Sequence, residues 1–183
     1  MLCRINSDLN VRYDGETDYI QIYADGAWRN SVLAGYSTSV ALVPNMTSYT
    51  LPYGRVSASS EYSGRPAYQA FNGKPPIITD GTTFWMASSR NIGEWLEYQF
   101  AQPVSITKFK FSALVDISFN LQRYSDNEWI NVLSGSLEAN SNFKSKEYTI
   151  DGRIVTSRVR IYITAAKSDI VISAAQFYGS KIL

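Results

Sequence analysis

There is no histidine in this chain and only one cysteine. The first absence removes the commonest general base and metal ligand, and the second leaves Cys3 without an intrachain disulfide partner. Charge is sparse and balanced, with 17 Lys and Arg against 16 Asp and Glu for a net +1. No basic run is present that would neutralise a row of phosphates, so nucleic acid is not an expected partner. No stretch approaches the ~18–20 continuous apolar residues of a bilayer-spanning helix, and no membrane partner is expected. The opening residues MLCRINSDLNVRYDGE lack the apolar segment of a Sec-type signal. Convincing helical periodicity is also missing.

What is present is aromatic and β-prone. Hydrophobic residues make up 45% of the chain and aromatics 14%, including thirteen Tyr and four Trp, a composition that suits pleated surfaces more than disorder. Near the start, Tyr19, Gln21 and Tyr23 interleave with Ile20 and Ile22, then Asp25-Gly26 precedes Trp28. Asp-Gly between alternating segments is a strong hairpin signal, because both turn positions need positive φ. The reading is a small N-terminal β-hairpin unit over residues 1–36, which must dock on something because a lone hairpin is marginal in water. Residues 37–52 (STSVALVPNMTSYTLP from Ser37) are rich in Ser and Thr, carry two prolines and no charge, and read as a linker. From 53 to 183, short strand-like runs return between Gly, Pro, Asn, Asp and Ser. Phe109 and Phe111 alternate with Lys108 and Lys110, and Arg158, Arg160 and Tyr162 alternate with Val159, Ile161 and Ile163. One face of each strand is therefore core and the other solvent. About eight strands make an all-β, antiparallel jelly-roll sandwich the natural architecture.

Several motifs within this region resemble the discoidin, or coagulation factor type C, family of galactose-binding-like domains. VSASSEYSGRPAYQAFNG, from Val56 to Gly73, is similar to the family's first strand and its Ala-Phe-Asp-Gly turn. Phe84-Trp85 with Ala87-Ser88-Ser89 is similar to its Trp-x-Ser box. GEWLEYQFAQPVSITKFKF, from Gly93 to Phe111, resembles its next two strands, and SRVRIYITA and VISAAQFYG resemble the closing pair. The resemblance implies a carbohydrate-binding module and assigns Trp85, Trp95, Phe71, Phe100 and Phe177 to the core. Members often hold a structural calcium beside the Ala-Phe-Asp-Gly turn. Here Asn72 stands in place of the Asp and Ala174 in place of a last-strand Glu, which leaves Asn72, Asp80 and Thr83 as weak candidates. The expectation is no cofactor and no metal.

Ligands in this family meet the loops at one end of the sandwich, and by position these are 61–66, 88–92 and 115–119. They offer Tyr62 as a ring for the C–H face of a sugar, with Arg65, Arg90, Asn91 and Asp116 for its hydroxyls. Catalysis is not expected: Ser and Cys3 lack a His to activate them, and although Glu61, Asp80, Glu94 and Glu97 formally permit a carboxylate pair, no site assembles around them. A small hairpin, a linker and a sugar-binding type of sandwich also resemble the layout of phage or prophage virion proteins. On that reading the chain is a multi-copy virion or extracellular accessory protein, held by other virion proteins through its hairpin and adhering to host or environmental glycans. The alternatives are a purely structural virion component, such as a capsid decoration or tail protein, and a stand-alone bacterial carbohydrate-binding module.

Overall fold

A computed structural model describes the backbone of residues 2–6, 9–13, 20–24 and 27–31 and the whole of residues 40–182. The chain divides into two compact units, Met1–Thr38 and Ser39–Leu183. The first is an antiparallel four-stranded meander of β1 (Leu2–Asn6), β2 (Leu9–Tyr13), β3 (Ile20–Ala24) and β4 (Ala27–Ser31). β3 and β4 pair as the hairpin expected there, with Ala24 opposite Ala27. The Asp25-Gly26 turn itself lies outside the described residues. β1 and β2 extend the hairpin to four strands, a correction that the polar opening residues concealed.

The second unit is an all-β antiparallel sandwich. Its strands are β5 (Val40–Ala41), β6 (Arg55–Ala58), β7 (Trp85–Met86), β8 (Trp95–Ala113), β9 (Ile117–Ser125), β10 (Glu128–Leu137), β11 (Lys144–Ala166) and β12 (Val171–Lys181). The order along the sheet is β10-β9-β11-β8-β12-β5, with β6 on β8 and β7 on β12. β8 and β11 are the longest strands, 19 and 23 residues, and the register shift between Thr149 and Ile154 lets the pair bend. Two short 3₁₀ turns, Ala67–Phe71 and Gly81–Thr83, interrupt the long connections. Asp126 and Asn127 both adopt positive φ between β9 and β10, the conformation of a two-residue hairpin turn that short polar side chains tolerate.

The alternation read from the sequence is observed. Phe109, Phe111, Val159, Ile161 and Ile163 are fully buried, while Lys110 is exposed. The core centres on rings: Phe109 stacks on Phe111 (5.3 Å between centroids) and on Phe177 (5.2 Å), and Phe119 meets Phe111 edge-on at 4.8 Å. Such offset and edge arrangements add to the area that the rings bury. Gly135 makes room for this cluster, because a Cβ there would fall 2.8 Å from the Phe119 ring.

Two expectations are corrected. Beyond Ser39, the stretch read as a linker belongs to the sandwich: Leu42, Val43 and Met46 are buried, and Val40 and Ala41 pair with Gly179 and Tyr178. Gln176 clasps this strand, its Oε1 accepting from the Val43 N–H and its Nε2 donating to the Val43 carbonyl. Residues 37–39 lie outside the described residues. Trp95, assigned to the core with Trp85, Phe71, Phe100 and Phe177, instead stands half-buried on the outer face of β8, whereas the other four are buried.

Candidate functional site

Three loops converge at one end of the sandwich, and a buried carboxylate holds two of them. Glu94, 8% exposed, accepts from the hydroxyls of Ser59 and Ser60 through Oε2 and of Ser89 through Oε1. Ser60 in turn accepts from the Ser88 N–H, and its carbonyl accepts from Nε1 of the fully buried Trp85. Burial opposes the charge on Glu94, but the bonds from Ser59, Ser89 and Ser60 outweigh it and hold the carboxyl below the usual range. A second carboxylate, Glu61, closes the base of the 61–66 loop by accepting from the Ala67 N–H and the Tyr49 hydroxyl. Burial and this bond push Tyr49 up to about 12.

The 62–65 segment is zipped to β7, with the Tyr62 N–H donating to the Met86 carbonyl and the Met86 N–H to the Arg65 carbonyl, while the Arg65 N–H closes the turn on the Tyr62 carbonyl. Gly64 turns the chain with φ +76°. This leaves Tyr62 53% exposed on the rim of a cleft of about 290 Å³, with Arg65, Phe84, Val115 and Asp169 among its walls. Arg65 does not wave in solvent. Its guanidinium lies 4.6 Å above the Phe84 ring and flat against Gly81, where a Cβ would coincide with Nη1. Asp169 accepts from Arg90 Nε at 2.5 Å, linking the 88–92 loop to the cleft wall. The cleft thus joins an exposed ring, a fixed guanidinium and a carboxylate.

Of the five residues expected to bind ligand, the structure brings Tyr62 and Arg65 together and ties Arg90 to them through Asp169. Asn91 is exposed on the 88–92 loop, its N–H bonded to Ser89, and does not line the cleft. Asp116 does not line it either. Its Oδ1 accepts from the N–H groups of Asn140 and Ala139, which together with nearby Lys167 keep its carboxyl below the usual range. It clamps the 138–140 turn. Sequence reasoning missed Phe84, Ile78 and Asp169, which are brought to Tyr62 by chain crossings that no local pattern records.

A model of the F5/8 type C domain matches residues 55–175. The chain belongs to the F5/8 type C family. No curated protein sequence matches the chain. Among solved structures, the F5/8 type C sandwich superposes on the family 32 CBM from C. perfringens NanJ, determined in complex with galactose, at 17% identity. That alignment covers 68% of this chain and 93% of that one, with a TM-score of 0.56. Chitosan-binding module 1 of a chitosanase/glucanase from Paenibacillus sp. IK-5 matches at 17% identity over 76% of this chain and 99% of that one, TM-score 0.58. A fucolectin from striped bass (Morone saxatilis) serum matches at 16% over 71% and 46%, TM-score 0.57. At these identities the likeness is one of fold.

The donor set does not fit the calcium that the family resemblance implies. Asn72 turns its Nδ2 toward the Thr82 carbonyl at 2.9 Å, so an N–H donor stands where a cation would have to accept oxygen. Its Oδ1 accepts from the Lys74 N–H. Asp80 caps the Gly81–Thr83 turn by accepting from the Thr82 N–H and hydroxyl, which keep its carboxyl below the usual range. The Thr83 hydroxyl bridges Ile77 and Asp80. Among the described residues no three carboxylate or thiol side chains cluster.

Proposed function

We propose that the F5/8 type C sandwich is a non-catalytic carbohydrate-binding module that takes a sugar in the Tyr62–Arg65 cleft. The observation that carries this reading is the fixed guanidinium beside an exposed ring. Packing on Phe84 and Gly81 removes most of the rotamer freedom Arg65 would otherwise lose on binding, while Tyr62 presents a face for the C–H side of a pyranose. Asp169 adds an acceptor for hydroxyls. The same fold holds galactose in the C. perfringens module and chitotriose in chitosan-binding module 2 of the Paenibacillus enzyme, which supports a sugar as the ligand class. The non-catalytic reading is supported by the engagement of Glu61, Glu94 and Asp116 in internal hydrogen bonds and by the lack of histidine.

The finer proposal is that many copies sit on a virion or another extracellular surface, attached through the N-terminal unit, and adhere to host or environmental glycans. The separate four-stranded unit ahead of the sandwich supports it, and repetition would convert weak contacts into avidity. A second reading, a structural virion component docked through protein contacts, is favoured by Ile78 and Ile92, 56% and 71% exposed. The full chain and a Tyr62→Ala/Arg65→Ala variant on a glycan and cell-wall polysaccharide array separate the two. Binding that the variant loses by at least about tenfold supports the lectin reading. Binding by neither protein, or equal binding by both, refutes it.

A further inference from the structure

The outer face of the sheet formed by β8, β11, β9 and β10 carries an arrangement for which the loop-end cleft has no use. In register, Glu97 stands opposite Arg160, Arg160 opposite Gln122, and Gln122 opposite Asn131, while in the adjoining row Trp95 stands opposite Tyr162. The two-residue period that buries Leu96, Ile161 and Leu121 puts these side chains on the opposite face, where Glu97 is covered and the others are partly or fully exposed. Hydrogen bonds tie three of them in a row. Arg160 Nε donates to Gln122 Oε1 at 2.6 Å, and Gln122 Nε2 donates to Asn131 Oδ1 at 2.6 Å. The Arg160 guanidinium carbon lies 4.2 Å from the centre of the Trp129 ring, 5.2 Å from that of Tyr162 and 5.9 Å from that of Trp95. All three rings are half-buried, so part of each remains open to solvent.

The two arginines of this face are not equivalent. Arg158 holds the carboxylate of Glu97, Nε to Oε1 at 2.7 Å, and is neutralised by it. Arg160 lies opposite the same Glu97 and feels its charge but forms no ion pair with it, and among the described residues its two terminal nitrogens have no hydrogen-bond partner. Burial disfavours its charge. A guanidinium set among aromatic rings, with both terminal nitrogens free of hydrogen bonds, is complementary to a planar carboxylate, which accepts two bonds at once.

We propose that this face is a second binding site, distinct from the loop end, for an acidic polysaccharide built of uronic acids. The carboxylate of one sugar meets the terminal nitrogens of Arg160, the rings of neighbouring sugars lie against Trp95 and Trp129, and the amides of Gln122 and Asn131 meet their hydroxyls. The site shares no residue with the Tyr62–Arg65 cleft, and so it stands or falls independently of that cleft. Partly exposed aromatic rings set around a guanidinium and two amides match a chain of sugars, each of which presents a C–H face and a hydroxyl edge.

Affinity electrophoresis of the full chain at about 0.15 M salt tests this with polygalacturonate, neutral dextran and poly-glutamate as gel additives. The expected result is retardation by polygalacturonate alone, weakened at least about tenfold by Arg160→Gln, the scale of one charged hydrogen bond lost. Trp129→Ala should weaken it as well, and it serves if Arg160→Gln melts early. Tyr62→Ala/Arg65→Ala should leave it intact. The inference is overturned if the wild type runs unretarded, or if neither face variant changes the retardation. Equal retention by poly-glutamate would make the partner an acidic protein, and a loss confined to the Tyr62/Arg65 variant would return the ligand to the loop end.

Discussion

Replacing Glu94 by Gln tests whether one buried carboxylate organises the loop end. The side chains are nearly the same size, so packing is preserved and the change is electrostatic. Three serine hydroxyls donate to the carboxylate. A hydrogen bond to a charged acceptor contributes about 1.5–3 kcal/mol and a neutral one about 0.5–1.5, so neutralisation removes ~1 kcal/mol at each of three bonds. Part of that is returned, because a buried charge no longer has to be desolvated. The expected net loss is about 1–2 kcal/mol at pH 7, a fall in melting temperature of roughly 3–6 °C for a domain of this size. The dependence on pH is the sharper test. The carboxyl is held below the usual range in the folded state, so its contribution is complete above the unfolded value and fades as pH falls through the folded one. Melting curves of the two proteins, well separated at neutral pH, should therefore converge on acidification below the ordinary glutamate range. Equal melting temperatures at pH 7, or a gap that stays constant into acid, would refute the clamp.

Gly81→Ala should lower sugar binding about tenfold or more with little change in melting temperature, because the added Cβ displaces only the end of the Arg65 side chain and no backbone; array signal and thermal melts together decide it. Gly179→Ala is the opposite case. Its Cβ would fall 1.8 Å from the Ser105 carbonyl oxygen, which is backbone and cannot swing aside, so a loss of about 1–3 kcal/mol in denaturant melts is expected. Calcium or a chelator should leave the melting temperature unchanged, whereas Asn72→Asp with Ala174→Glu should introduce a calcium-dependent rise; a calcium response in the unaltered chain would contradict the reading of Asn72 as an amide donor.

The strands were legible where one period governed one surface. Phe109, Phe111, Val159, Ile161 and Ile163 alternate in sequence and go inward in the structure. Legibility failed where a partner far along the chain decided the outcome. Leu42 and Val43 sit in a Ser-, Thr- and Pro-rich stretch without a period, and only β12, more than 130 residues away, makes them a sheet edge and a core. The same limit applies to the site. Tyr62 and Arg65 lie on one short turn and were found together, but Asp169 comes to them from far along the chain. Asp116 carries the right chemistry and is claimed by the Ala139 and Asn140 N–H groups, a rivalry invisible without coordinates. Trp95 looked like a core residue because it is large, yet its place in the alternation sets it outside, beside Tyr162.

The pairing of β5 with the end of β12 also fixes how the sandwich can be held. Val40 enters opposite Gly179, whereas the cleft is walled by Asp169 and Val171 at the start of the same strand. At about 3.3 Å per residue, the eight steps from Val171 to Gly179 separate the two by ~26 Å. Val40 therefore enters the sandwich at the pole remote from the cleft. Since β12 ends at Lys181 on that same pole, Val40 and Lys181 are neighbours, and the sandwich can be spliced into the loop of another protein, or those two points joined and the chain reopened elsewhere, with the cleft undisturbed.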